Sequence, residues 1–388
     1  MRVIGLMSGT SHDAIDAVGA DIHLRDSTVH VEVVGQLSRA YPDRLRADLI
    51  AALPPGTVDM ATVCRLDTAI GQEFAAAADA AVHELFDGTA DLVASHGQTV
   101  YHWVADGKTY GTLQLGQPAW IAASTGLPVV SDFRSRDIAA GGQGAPLVAL
   151  FDLLWLAGRP GRPAALNIGG IANATVTGEY PVAFDTGPGN ALIDAAVELA
   201  TDGAEHFDRD GLRAARGMVD ARLLEALLAE SYYSAAPPKT TGKELFNRAY
   251  VERVLLDHPL SADDIVATMT ALTAHTIADA LAPFEPDEVI GSGGGTLNPT
   301  LMGMLGQRLG KATLCTSDEL GLPSAAKEAA AFAVLGFLTM HGLAGTDAAC
   351  TGAKRATVLG SITPGAGRLT LPETSGAAPR QLRLVSNV

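Results

Sequence analysis

The stretch VIGLMSGTSHDAIDAVGADI, residues 3–22, places an apolar run on each side of a polar turn that contains a glycine. This pattern predicts a β-hairpin. Backbone N–H groups and hydroxyls at such a tip can bind phosphate oxygens, and Gly9 would let the backbone turn inward. Asp13 and Asp16 follow closely, and carboxylates are ligands that Mg²⁺ prefers. The turn is therefore a candidate phosphate and magnesium site; the alternative is an ordinary hairpin turn braced by its own Ser and Asp side chains.

The composition excludes several classes of protein. The 388 residues are 47% hydrophobic and 18% charged, which is typical of a soluble globular chain with large cores. The net charge of −16 and the lack of a Lys/Arg run argue against nucleic acid or anionic membranes as partners. Three cysteines, far apart in the chain, favour neither a disulfide scaffold nor a zinc site and fit the cytoplasm. We expect neither a signal peptide nor a transmembrane segment.

Two halves of the chain show the same order of predicted elements. The first half has strands at residues 3–7, 14–22 and 29–37, a helix at about 63–86, and a buried strand at 92–94 that enters a polar loop, SHGQT. The second half has strands around Gly169-Gly170, a third strand before FDTGPGN, a helix at 262–281 capped by Ser261, and a strand that enters a loop, GSGGGT. A loose duplication of this kind predicts two similar α/β domains with a cleft between them.

Polar residues after the buried strands are further candidates. Asp185, before Gly187-Pro188-Gly189, would face ligands at a strand's carboxyl end and could be a general base; the alternative is a helix cap. Asn167 and Asn173 flank Gly169-Gly170 and either bind sugar or phosphate or brace the turn.

Two more loops add candidates for a nucleotide and a substrate. Gly293, Gly294 and Gly295 would let a base or ribose approach the backbone, and Asn298 precedes a helix whose N-terminus favours phosphate. His96, Gln98 and Arg134 are polar groups suited to hydroxyls and a carboxylate; a structural salt bridge of Arg134 is the alternative. Glu328 lies on an apolar helix, where an exposed position is the alternative.

Nine motifs, in order along nearly the whole chain, resemble those of anhydro-N-acetylmuramic acid kinases. They are GLMSGTSHDAIDA, SHGQTVYH, GQPAWIAASTGLPVVSDFRSRDIAAGGQGAPL, LNIGGIAN, FDTGPGN, PPKTTGKELFN, GSGGGTLNP, AKEAAAFA and TGAKRATVLGSITPG. The resemblance implies the sugar kinase/Hsp70/actin fold, with two duplicated ribonuclease-H-like lobes and an interdomain cleft. We place an N-terminal sugar and phosphate lobe at 1–133, a C-terminal nucleotide lobe at 134–367 and a tail at 368–388 that packs back on the first lobe; residues 158–163, GRPGRP, are a candidate connector.

The resemblance also implies a reaction. Such enzymes take 1,6-anhydro-N-acetylmuramic acid, ATP and water and give N-acetylmuramic acid 6-phosphate and ADP, in murein recycling, and they are often homodimers. Asp185 would deprotonate the attacking water, Glu328 would assist at the water or sugar side, and Arg134 would bind the lactyl carboxylate. ATP and Mg²⁺ would bind at Gly9, Thr10, Ser11, His12, Asp13, Ala14, Ile15, Asp16, Asn167, Gly169, Gly170, Gly187, Gly293, Gly294, Gly295 and Asn298.

Two residues depart from the family pattern, and two rival functions stay open. An apolar residue is expected in place of His12 and a glycine in place of Ala14, where a positive φ would strain the backbone. One rival is a kinase for another anhydrosugar such as levoglucosan, which has no lactyl carboxylate. The other is a non-catalytic, actin-like ATP-binding module.

Overall fold

The computed structural model describes residues 1–54, 56–237, 239–242, 244–256, 260–373 and 378–385. The strands are β1 Arg2–Ser8, β2 Ala14–Arg25, β3 Thr28–Ala40, β4 Leu92–Ala105, β5 Lys108–Leu115, β6 Val129–Ser131, β7 Pro163–Ile168, β8 Ile171–Val176, β9 Val182–Pro188, β10 Glu288–Ser292, β11 Thr313–Thr316, β12 Ser361–Thr363 and β13 Gln381–Leu384. The helices are α1 Asp43–Ala52, α2 Met60–Phe86, α3 Pro118–Thr125, α4 Ser135–Ala139, α5 Ala149–Leu156, α6 Ala191–Ala200, α7 Leu212–Arg216, α8 Ala221–Leu228, α9 Arg248–Leu255, α10 Ala262–Leu281, α11 Pro299–Arg308, α12 Lys327–Met340 and α13 Ala348–Thr351.

The chain forms two compact units, Met1–Gly158 with Ala326–Val388, and Arg159–Ala325. The boundary predicted at 133/134 is therefore wrong, and so is the assignment of residues 326–367 to the second lobe. The chain returns to the first unit after residue 325, because α12 packs on β1, β2 and β4 and β12 pairs with β6. The connector predicted at 158–163 does lie at the first boundary.

The two units have sheets with the same central strand order. The first sheet runs β12-β6-β4-β1-β2-β3-β13, with β5 beside β4, and the second runs β11-β10-β7-β8-β9. In each, the first strand is antiparallel to the second and parallel to a later one: β1 pairs with β2 and β4, and β7 pairs with β8 and β10. The predicted α/β class and the internal duplication are thereby confirmed.

The predicted elements are found close to their expected positions, with two extensions. The SHGQT segment, predicted as a loop, lies inside β4, because that strand continues as a hairpin with β5. Gly187-Pro188 likewise lies inside β9. The tail expected to pack on the first lobe supplies β13, which runs parallel to β3 at the edge of the first sheet.

One core of the first unit lies between its sheet and α2, where Ile4, Leu6 and Phe74 are fully buried. The core of the second unit surrounds α10, which begins at the predicted cap: Asp264 N donates to Ser261 Oγ at 3.3 Å. Residues Ala262–Phe284 are long and apolar enough to cross a membrane by length and composition. Because 72% of an apolar 18-residue stretch of this segment is buried, we assign α10 as a core helix.

Candidate active site

The polar turn between β1 and β2 is held by backbone and side-chain contacts from outside it. Tyr41 N donates to Asp13 O at 2.9 Å, and Arg46 Nε donates to His12 O at 3.0 Å. Ser8 Oγ donates to Ala14 O at 2.8 Å across the base of the turn. The turn therefore has a fixed shape before any ligand binds.

The strained backbone position in this turn is His12, not Gly9 or Ala14. The φ of His12 is 56°, and its side chain is buried. Ala14 begins β2 without a positive φ, so the strain considered for that residue does not arise. Gly9 also lacks a positive φ, which corrects the reason given for it, and a Cβ added there would meet no atom within 4 Å. The fold does not need glycine at position 9, and the open space suits a ligand.

The two aspartates of this hairpin fit the requirements of Mg²⁺. Asp13 is exposed, and Asp16 is half-buried with Ser38 Oγ donating to its Oδ1 at 2.8 Å. Burial raises the pKa of Asp16, and the negative charge of Asp13 acts in the same direction. A divalent cation would relieve that repulsion. The described residues contain no cluster of three acidic, His or Cys ligands, and Mg²⁺ is usually bound by one or two carboxylates, phosphates and water.

Gln98, predicted to bind sugar, stabilises the turn between β1 and β2. It is buried, and its Oε1 accepts from Ser8 Oγ at 2.8 Å and from Tyr41 OH at 3.3 Å. Its Nε2 donates to Gly9 O at 3.3 Å. Both ends of the amide are therefore used within the protein, and Gln98 stabilises the turn; its contact with the sugar stays a prediction.

Arg134 and His96, the other predicted substrate residues of this unit, contact each other. Arg134 Nε and Nη2 lie 3.0 Å and 2.9 Å from His96 Nε2. Arg134 Nη1 donates to Gly144 O at 2.7 Å. The structure therefore brings these two residues together, with the His96 ring on the Nε and Nη2 edge of the guanidinium group.

Glu328 is half-buried in the first turn of α12, so the exposed alternative is wrong. The pKa of Glu328 is raised, mainly by burial, and the negative charge of Asp16 adds to the rise. The positive charges of Lys327 and Arg134 act in the opposite direction. Sequence reasoning missed the neighbouring ion pair: Lys327 Nζ lies 2.8 Å from Asp152 Oδ1, and the two side chains are 1% and 4% exposed. A lysine in an apolar Ala-rich helix was the available signal, since a buried charge requires a partner.

Asp185 lies within β9 and is fixed by residues that sequence reasoning did not assign. Thr241 N donates to its Oδ2 at 2.9 Å, and Asp185 N donates to Lys239 O at 3.0 Å. Tyr232 OH donates to Asp185 O at 2.7 Å. These residues belong to or precede PPKTTGKELFN, residues 237–247, of which Pro238 and Lys243 lie outside the described residues. The motif was visible in the sequence, but its contact with Asp185 was not, because 56 positions separate Asp185 from Thr241.

In the second sheet, four polar residues on neighbouring strands form a row of directly paired positions. Ser292 pairs with Asn167, Asn167 with Asn173, and Asn173 with Asp185, on β10, β7, β8 and β9. Directly paired residues of neighbouring strands project on the same face. Asn167 is 8% exposed, and its Oδ1 has no hydrogen-bond donor among the described residues. An unsatisfied buried amide is costly, so this row suits a polar ligand such as a nucleotide.

The three glycines of the 293–295 loop differ in what they allow. Gly293 has a φ of 83°, and a Cβ there would lie 2.5 Å from Asn167 Oδ1; a Cβ on Gly295 would overlap the Ile168 side chain. Gly294 is exposed, and the nearest atom to its Cβ would be Asn190 Nδ2 at 3.9 Å. Only at Gly294, among these three, does the missing side chain leave space for a ligand.

Four other predicted nucleotide residues make contacts that stabilise the second unit. Gly169 O accepts from Asn190 N at 2.8 Å, and Gly170 O accepts from Gly189 N at 2.9 Å. Gly187 has a φ of 150°, and a Cβ there would lie 3.0 Å from the Tyr233 ring. Asn298 Oδ1 accepts from Leu301 N at 2.9 Å and so caps α11. The helix starts where predicted, but its N-terminus is already capped by a side chain.

Comparison with known proteins identifies the family. The model of the anhydro-N-acetylmuramic acid kinase family matches residues 1–365. The kinase of that name from Streptomyces avermitilis is 60% identical over 99% of this chain and 100% of its own, and the one from Rhodococcus erythropolis is 54% identical over 99% of each. A ROK family glucokinase from Streptomyces griseus, solved with glucose and AMPPNP, is 13% identical, covers 87% of this chain and 99% of its own, and has a TM-score of 0.40. The chain belongs to the anhydro-N-acetylmuramic acid kinase family.

Proposed function

We propose that this enzyme uses ATP and water to convert 1,6-anhydro-N-acetylmuramic acid into N-acetylmuramic acid 6-phosphate and ADP, as a cytoplasmic step of murein recycling. The observation that carries the proposal is the fixed carboxylate of Asp185. It lies in the FDTGPGN motif, with one oxygen accepting from Thr241 N at 2.9 Å. Family membership over residues 1–365 supports the substrate class.

The proposed reaction couples two bond exchanges. Asp185 removes a proton from a water molecule while the water oxygen bonds to C1 of the sugar. The C1–O6 bond breaks, and its electron pair stays on O6. O6 then bonds to the γ-phosphorus of ATP, the bond from that phosphorus to ADP breaks, and ADP leaves. The hydrogen bond from the Thr241 amide holds the carboxylate of Asp185 in place, and a general base held in place favours catalysis by orientation.

The β1–β2 turn is the proposed site of the ATP phosphates. Gly9, Thr10 and Ser11 would bind them through backbone N–H groups and hydroxyls. Asp13 and Asp16 would hold Mg²⁺, which neutralises phosphate charge when bound. Burial raises the pKa of Asp16 and the negative charge of Asp13 adds to the rise, so a bound cation would favour the charged carboxylate that this assignment requires.

Other groups would bind the sugar and the nucleoside. Arg134 would form paired hydrogen bonds with the lactyl carboxylate. Glu328, whose pKa is raised mainly by burial, would hydrogen-bond the sugar or the water. Asn167 and the open Gly294 would contact the nucleoside. A homodimer remains a prediction.

Isotope labelling tests the proposed chemistry. With the anhydro sugar, ATP and ¹⁸O-water, we expect one label at C1 of the product and none in its phosphate, by mass spectrometry. Asp185→Asn should lower turnover by about 10³-fold with ATP binding nearly unchanged, since general bases contribute factors of about 10²–10⁴. Glu225→Gln, an exposed acid on α8, is the matched control. Label in the phosphate, or full activity of Asp185→Asn, would contradict the proposal.

A further inference from the structure

His96 is buried inside the first unit with both ring nitrogens in use. Its side chain is 3% exposed. Nδ1 lies 2.8 Å from Gly97 O, and Nε2 lies 3.0 Å and 2.9 Å from Nε and Nη2 of Arg134. The ring packs on Phe332 of α12 at a centroid distance of 4.7 Å. Both polar atoms of the ring are therefore already engaged by the protein.

The partners of the ring fix its protonation. A carbonyl oxygen only accepts, so Nδ1 carries the proton that is donated to Gly97 O. A guanidinium group only donates, so Nε2 must be the unprotonated acceptor. Burial, together with the positive charge of Arg134, holds the pKa of His96 well below its usual range. His96 is therefore a neutral imidazole in one tautomer.

The other side of Arg134 is also held by a neutral acceptor. Arg134 Nη1 donates to Gly144 O at 2.7 Å. Gly144 N in turn donates to Asp137 Oδ2 at 2.8 Å, and Thr351 Oγ1 donates to Asp137 Oδ1 at 2.7 Å. The position of this carbonyl is thus set by a buried network.

We propose that His96 is a positioning residue that aims the Arg134 guanidinium at the carboxylate of the sugar substrate. An Asp or Glu in place of His96 would also fix Arg134, but it would cancel the charge that recognises the substrate. The neutral imidazole fixes the guanidinium plane without adding a negative charge beside it. This inference rests on the proposed function, because it requires a substrate that carries a carboxylate.

Two sugars and three substitutions test the inference. We compare 1,6-anhydro-N-acetylmuramic acid with 1,6-anhydro-N-acetylglucosamine, which lacks only the lactyl group. His96→Leu should lower the ratio of kcat/KM for the first sugar over the second about tenfold, mainly through KM, because a hydrogen bond to a charged group is lost. His96→Gln, whose amide oxygen can still accept from Arg134, should restore most of the ratio. In the Arg134→Ala background, His96→Leu should change the ratio less than twofold.

The outcomes separate the inference from the proposed function. A similar loss on both sugars, or a further loss of the ratio in the Arg134→Ala background, would show that His96 is only structural. ¹⁵N NMR of the histidine rings should show neutral His96 protonated at Nδ1 at pH 7; a cationic ring would overturn the inference. If Arg134→Ala abolishes the preference and His96→Leu does not, the inference alone fails. If the wild type shows no preference for the muramic sugar, the proposed function fails as well.

Discussion

The turn between β1 and β2 and the turn between β7 and β8 occupy the same place in two sheets of matching strand order, yet they use their polar groups differently. In the second turn, the carbonyls of Gly169 and Gly170 accept from the N–H groups of residues 189–191, which fixes the corner between β9 and α6. In the first turn, the N–H groups of Thr10 and Ser11 donate to no atom of the described residues. The polar groups of the turn between β7 and β8 are therefore used in packing, whereas the longer turn between β1 and β2 keeps hydrogen-bond donors for a ligand.

This difference makes glycine substitutions informative, because a glycine needed for packing and one needed for a ligand fail in different assays. A Cβ at a packed glycine overlaps protein atoms and destabilises the fold. A Cβ at an open glycine leaves the fold intact and blocks only a ligand. The largest effect should therefore be on stability, in the second turn.

Gly189→Ala should destabilise the protein by about 3 kcal/mol or more, because the new Cβ would overlap the backbone oxygen of Gly169 and shift a fixed corner. Thermal unfolding and the yield of folded protein measure this. Gly303→Ala on α11, where a Cβ meets no atom within 4 Å, is the matched control and should keep wild-type stability or exceed it. A Gly189→Ala protein as stable as the control would show that the second turn is not held by packing.

Gly9→Ala should behave in the opposite way. Because its Cβ would meet no protein atom, the free energy of unfolding should change by less than about 0.5 kcal/mol. The added methyl group would lie where we place phosphate oxygens, so the KM for ATP should rise about tenfold, equivalent to about 1.4 kcal/mol. Steady-state kinetics at saturating sugar measure it. An unchanged KM for ATP would show that the phosphates do not bind at this turn.

Local features of both units could be predicted from the sequence. The hairpin of residues 3–22 follows from two apolar runs around a polar turn, and the start of α10 follows from Ser261 before a helical pattern. The duplication was visible because the same strands and glycine turns recur. These signals arise from neighbours in sequence, and the structure confirms them.

Contacts between distant segments could not be predicted in this way. Gln98 meets Ser8 across 90 positions, and His96 meets Arg134 across 38. The local sequence marks all four only as polar, and a polar side chain can contact a ligand or stabilise a loop equally well. The same limit explains the domain boundary, because nothing local to residue 326 shows that α12 returns to the first sheet.

The smallest effect should come from Asn298, which the sequence assigned to the nucleotide and the structure assigns to a helix cap. Asn298→Ala removes the acceptor for Leu301 N and should cost about 1 kcal/mol of stability. Asn298→Asp, which keeps an acceptor, should recover most of it. The capping oxygen of Asn298 also packs against Gly211, at the place that a Cβ on that glycine would occupy. Because the side chain is held by these contacts within the protein, we expect the KM for ATP to change less than twofold. A larger rise in KM at unchanged stability would mean that Asn298 binds the nucleotide. The loop before α11 would then serve both packing and the ligand, unlike the turn between β7 and β8, which serves packing.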